Sequence, residues 1–204
     1  MNLYNDIVLP RLCGWAMKNE RLQPYRERVV GMADGHVLEI GIGAGLNLPL
    51  YTSAVRDIQA LEPSLQLIAM ARRAADTAAA PVSFIESSAE AIPLDDRSID
   101  TVVTTWTLCS VAHVEQALGE MRRVLKPGGQ LLFVEHGLAP ERSVQRWQHG
   151  LTPIWSKFAG GCHLDRPIRT LIERAGFDLP QVETSYMAGP RPFTYFYEGR
   201  GRPR

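Results

Sequence analysis

The sequence predicts an α/β fold: a doubly wound, mostly parallel seven-stranded sheet with an antiparallel C-terminal strand. Three observations lead there. Short apolar runs alternate with helical patterns between residues 36 and 135. The first run opens into a glycine-rich loop, VLEIGIGAGLN (37–47). Two closing runs are separated only by AGPRP, which suits an antiparallel pair.

Taken in order, the strands are expected at HVLEI (36–40), DIQALE (57–62), VSFIES (82–87), IDTVVTTW (99–106), QLLFVE (130–135), DLPQVETSY (178–186) and FTYFYEG (193–199). Helices fill the gaps. Residues 64–78 open on Ser64, a good N-cap, with Leu65, Ile68, Ala69 and Ala75 at helical spacing. Residues 113–125 gather Val114, Ala117, Leu118, Met121 and Leu125 on one face and end at KPGG, where a glycine can take a left-handed cap. A further helix spans 164–175 and closes at Gly176.

Two stretches stand outside the alternation, residues 1–32 and the Trp-, Gly- and Pro-rich segment 138–163, and these are where a substrate-specific cover is expected. Tyr4, Val8, Leu12 and Trp15 recur at helical spacing, with Arg11 and Lys18 on the flanks and a kink expected at Pro10. The segment reads as an N-terminal helical lid (1–32) over a single domain of residues 33–204. The alternative is a helix lying on a bilayer and contacting membrane.

Composition narrows the partners. Lys plus Arg and Asp plus Glu number 22 each in 204 residues, which gives no global pull toward nucleic acid or anionic lipid. MRRVLK (121–126) reads as a solvated helix face and RGRPR (200–204) as a frayed terminus. Cys13, Cys109 and Cys162 are odd in number and widely spaced. They fit neither a disulfide framework nor a paired metal-ligand motif, so no metal is expected, Cys109 and Cys162 read as buried small hydrophobes, and a cytoplasmic location follows. No apolar run approaches the ~20 residues of a bilayer span, and MNLYNDIVLPRLCGW does not resemble a signal peptide.

The chemistry concentrates around the glycine loop. The order strand, glycine loop, helix is the mononucleotide-binding half of a doubly wound fold, and the next strand ends on Glu62, an acid suited to ribose hydroxyls. A nicotinamide-dependent oxidoreductase is the rival from another class, but its G-x-G-x-x-G register is broken. Here the loop is Gly41-Ile-Gly43-Ala-Gly45, with Leu46 at the place of the third glycine. Glu39, two residues before the loop, is an unfavourable neighbour for a pyrophosphate and suits a cationic cofactor.

LEIGIGAG, with Glu62 closing the next strand, resembles the signature of class I S-adenosylmethionine-dependent methyltransferases. The resemblance implies a Rossmann-like domain in which Glu39 and the loop around Gly41, Gly43 and Gly45 hold the amino-acid part of S-adenosylmethionine. It places Glu62 on both ribose hydroxyls, and Pro63 and Ser64 beside the adenine. SSAEAIPLDDRSID (87–100) resembles the adenine-edge turn and implicates Ser88, Ala89 and Glu90; Asn47 and Thr105 are counted with these cofactor-binding residues. TTWTLCSVAHV (104–114) stands where amide- and adenine-modifying members carry N/D-P-P-aromatic, which points to a small-molecule acceptor.

The combination LEIG-GAGLNLPLY, TLCSV, VEHGLAP, RWQHGLTPIW, GGCHLDR and ERAGF is similar to animal methyltransferase-like proteins that methylate alkyl thiols. Those proteins carry an N-terminal membrane anchor that this sequence does not resemble. A quinone carbon or a phospholipid amine is the alternative acceptor within the same chemistry. Thiol transfer calls for a group that favours the thiolate, and His136 at the end of the fifth strand is the candidate catalytic residue, with His163 behind it. Trp106, Trp147 and Trp155 are expected near the crevice as an apolar wall or a cation-stacking surface.

Overall fold

The computed structural model describes residues 8–204. Its strands are β1 (Gly35–Ile40), β2 (Val55–Leu61), β3 (Val82–Ile85), β4 (Ile99–Thr105), β5 (Leu125–His136), β6 (Phe177–Tyr186) and β7 (Tyr195–Pro203). They form one sheet of order β3-β2-β1-β4-β5-β7-β6, parallel from β3 through β5, with β7 antiparallel to both its neighbours. The strand order reverses between β1 and β4, so the loops leaving their carboxyl ends flank the crevice where doubly wound folds bind ligands.

Helices α1 (Leu9–Ala16), α2 (Gln23–Val30), α3 (Leu65–Ala75), α4 (Val114–Val124), α5 (Arg142–Phe158) and α6 (Ile168–Arg174) complete the chain. One apolar cluster packs α4 and α6 against Leu38, Val102, Leu131 and Phe133; another packs α2 and α3 against Val37, Ile58, Val103 and Val134. The strands β1, β4 and β5 contribute to both clusters because both their faces are covered. Their near-continuous apolar runs reflect that burial.

Several expectations need correction. Helix α4 ends at Val124 without a left-handed cap: Leu125 is already extended, ahead of a pre-proline Lys126 that disfavours helix, and Gly128 takes its positive φ in the turn beyond. The segment 138–163, read as irregular, contains the 17-residue α5. Its buried stripe is Val144, Gln148 and Thr152, two of them polar, while its apolar period Trp147, Leu151, Ile154 and Phe158 runs along a mostly exposed face and is interrupted by Gly150 and Pro153. Gln148 earns burial by bonding Ala139 N, Gly137 O and Pro192 O.

The basic clusters are structural. Arg123 donates to Glu120, Asp96 and the Ile92 and Leu94 carbonyls, and Lys126 pairs with Asp100. The expected frayed tail is strand β7, with Arg204 N bonded to Gly176 O. Tyr4 lies outside the described residues, whereas Leu12 and Trp15 lie on α1 with Val8 just before it, and Pro10 is the second residue of that helix. Among the described residues, no helix is long and apolar enough to cross a membrane.

Candidate active site

A cavity of about 800 Å³ opens at the β1–β4 reversal, within the size range of small-molecule sites. Of the residues singled out above, Gly41, Gly43, Asn47, Glu62, Pro63, Ser64, Ser88, Ala89, Glu90, Thr105 and His136 all line it. The glycine loop has divided labour. Gly43 (φ +55°) has open space where a Cβ would stand, whereas a Cβ on Gly45 (φ +79°) would lie 2.9 Å from Ala74 Cβ and 3.0 Å from Ala71 Cα. Gly45 is off the cavity wall and serves the close packing of α3 against the loop.

Glu62 ties the loop to the next strand. Its Oε2 accepts the Gly43 amide at 3.2 Å and its Oε1 the Ser64 amide at 3.1 Å, while Ser64 Oγ caps α3 through Leu67 N. Burial pushes its carboxyl above the ordinary range, opposed by those two amides. A carboxylate has about four lone-pair sites, so two remain for a ligand.

Glu39 is placed differently from expectation. It does not line the cavity; one oxygen accepts from Tyr51 Oη and the other from Asn47 Nδ2, both at 2.7 Å. Burial drives its carboxyl up to about 7. Glu39 therefore holds Asn47, whose Nδ2 also reaches Thr105 Oγ1 at 3.0 Å and whose buried Oδ1 has no protein partner. At the far end of the wall, Ser88 donates to Glu90, and Glu90 accepts the His113 amide at 3.1 Å.

Arg26 and Tyr51 carry no signal in the sequence, because only the tertiary fold brings α2 and the post-loop turn beside β1. The Arg26 side chain is 3% exposed, lines the cavity, has its Nε unpartnered and stacks over Trp106 at 4.7 Å. Burial lowers its guanidinium to about 10, with Glu39 opposing. Trp106 adopts φ +52°, a strained conformation for a bulky residue, and its buried Nε1 lacks a partner.

On the β5 side, the wall is mostly apolar, with Cys109, Ser110, His136 and Cys162 as its polar groups and Trp155 tilted against Phe193 at 4.8 Å between ring centres. Two separate cysteines of the sequence thus meet one histidine: their sulfur and nitrogen atoms lie within 4.8 Å of one another. The neighbouring Cys109 thiol holds Cys162 below the ordinary thiol range, while the Cys162 thiol, with burial, raises Cys109. His163 is off the wall, 3.9 Å from Asp165, and Trp147 is 65% exposed outside it. Leu9, Pro10 and Gly14 of α1 close the cavity on its other side.

A methyltransferase domain family matches residues 38–133. Over 167 residues the chain is 35% identical to the thiol S-methyltransferase TMT1B of Rattus norvegicus, covering 80% of this chain and 66% of that protein. The chain thus spans just under two thirds of that relative's length. It is 32% identical to the thiol S-methyltransferase TMT1A of Homo sapiens (79% and 69% covered) and 33% identical to a phosphatidylethanolamine N-methyltransferase of Cereibacter sphaeroides (81% and 80%). The fold matches that of a solved S-adenosylmethionine-dependent methyltransferase from Thermotoga maritima, with a TM-score of 0.69 at 22% identity, over 99% of this chain and 98% of that one. Sequence, sheet order and crevice agree: the chain belongs to the class I S-adenosylmethionine-dependent methyltransferases.

Proposed function

We propose that this chain transfers a methyl group from S-adenosylmethionine to a small apolar thiol. The residues present fit that cofactor. The spare lone pairs of Glu62 suit two ribose hydroxyls, the open face of Gly43 suits close approach of the amino-acid part, and Ser88, Ala89 and Glu90 suit the adenine edge. Arg26, buried with an unpartnered Nε, suits the cofactor's carboxylate, and the Asn47 Oδ1 suits its ammonium. Glu39 supports this indirectly, by fixing Asn47.

When bound, the cofactor supplies a methyl group already activated on a sulfonium. The chain's task is then to align the acceptor, keep water out and favour a thiolate, because a free thiol has pKa near ~8.5. Among the described residues His136 is the one imidazole on the cavity wall, beside the Cys109 and Cys162 thiols in an otherwise mostly apolar stretch, and this observation carries the thiol reading. Helix α1 and the following residues to Met32 act as the cover. Incubation with methyl-labelled cofactor and a panel of alkyl thiols tests the proposal. Labelled thioether is the expected product, and its absence with every thiol removes the acceptor assignment.

A phospholipid amine is the second reading. It is supported by the bacterial relative and by apolar side chains exposed on the two helices that flank the cavity: Val8, Leu12 and Trp15 beside α1 and on it, Trp147, Ile154 and Phe158 on α5. Label appearing in vesicle lipid instead of thiol would favour it.

A further inference from the structure

We propose that Cys109 Sγ, His136 and Cys162 Sγ form a zinc site with a fourth, open position facing the acceptor end of the cavity. The metal site stands on its own geometry; its use rests on the thiol methyltransferase reading and deepens it. There His136 serves as a metal ligand instead of a free base.

The donor atoms lie within 4.8 Å of one another. Tetrahedral zinc with Zn–S near 2.3 Å sets two sulfurs about 3.8 Å apart, so ligation asks for a contraction of about 1 Å at most. Two thiolates and an imidazole form a soft N/S set, which suits zinc and disfavours magnesium or calcium. Three protein ligands with an open fourth position is the pattern of catalytic zinc, whereas structural sites are closed by four. All three residues line the cavity, so the open position has space before it.

The surroundings hold the three segments in register. Cys109 sits in the turn after β4, which Glu135 pins by accepting Thr104 Oγ1 at 2.8 Å and Thr107 N at 3.1 Å. The loop bearing Cys162 is stitched to that turn through His163 N to Cys109 O, at 2.8 Å. Arg166 adds bonds to the Leu108 and Val111 carbonyls. His136 Nε2 lies 3.4 Å from Pro192 O; donation there leaves Nδ1 bare for a metal, the orientation that outer partners give zinc-bound histidines.

At the open position an acceptor thiol would bind through sulfur as the thiolate, its S–H proton leaving to solvent, because a coordinated thiol is deprotonated outright. Binding and activation of the acceptor become one event.

Cobalt(II) is the probe. The full chain, reduced and stripped with chelator, is titrated with cobalt. A thiolate-to-cobalt charge-transfer band is expected to saturate near one metal per chain, to be displaced by zinc, and to shift when octanethiol is added. Cys109→Ser and Cys162→Ser are each expected to weaken cobalt binding by about 100-fold, since even outer-shell changes cost 10–100-fold. His163→Gln, at a half-buried residue off the cavity wall, should leave it unchanged. Calorimetry with S-adenosylhomocysteine should give wild-type affinity in every variant, which shows that they fold. No band on the wild type, or a band that survives both serine changes, overturns the site. A band indifferent to octanethiol overturns the open position. Loss of S-adenosylhomocysteine binding by the wild type would instead overturn the methyltransferase reading.

Discussion

Glu62 reaches from the end of β2 to the loop after β1 and accepts the Gly43 amide at 3.2 Å. One carboxylate therefore shapes the glycine loop while keeping acceptor sites free. Glu62→Ala is expected to loosen the loop and weaken S-adenosylhomocysteine binding by about 1.5–3 kcal/mol, the size of a hydrogen bond to a charged group. Isothermal calorimetry reads this directly, and unchanged affinity would remove Glu62 from the cofactor's contacts.

The glycines of the loop should respond differently to a methyl group. Gly45→Ala puts a Cβ 2.9 Å from Ala74 at φ +79° and should cost about 2–4 kcal/mol of stability, combining overpacking with left-handed strain. Gly43→Ala faces open space at φ +55°, so it should cost only about 1 kcal/mol of stability while reducing cofactor affinity. Thermal unfolding paired with calorimetry separates the two.

Arg26→Gln should weaken S-adenosylhomocysteine, which carries a carboxylate, by about 10-fold or more. It should leave 5′-methylthioadenosine, which lacks that group, bound as before. Equal losses for both ligands would mean that Arg26 acts by supporting Trp106, over which it stacks at 4.7 Å.

Stability should depend on pH through Glu39. Burial raises its carboxyl from 4.5 to about 7. The folded state thus holds this proton more tightly than the unfolded chain. The favourable contribution is complete below about pH 4.5 and fades as pH rises through about 7, on the order of 3 kcal/mol in all. Glu39→Gln, which still accepts from Tyr51, should flatten the fall in Tm between about pH 5 and about pH 8. A wild-type slope equal to that of the variant would contradict this.

What the sequence disclosed follows from how local each requirement is. The glycine loop and the Glu62 strand end were legible because backbone geometry there restricts residue type within a few positions. The pairing of Cys109 with Cys162 was illegible, since it depends on the turn after β4 meeting the loop after α5. Helix α5 was hidden for another reason: Gly150 and Pro153 interrupt its apolar period, and the face it buries carries Gln148 and Thr152, held by hydrogen bonds that hydropathy does not register. Arg26 lacked any local signature, as a charge on an amphipathic helix reads as solvent-facing until the fold encloses it.

The placement of β7 between β5 and β6 has a consequence for assembly. The final hairpin docks through its second strand, so residues 195–203 must be in hand before β5 gains a neighbour on that side. Until then Leu131–Val134 form a bare apolar edge, open to pairing with another chain, and the strand that ends on His136 lacks one flank. Maturation of the crevice thus waits on the stretch of polypeptide most remote from the glycine loop, a long-range closure of the kind that slows folding.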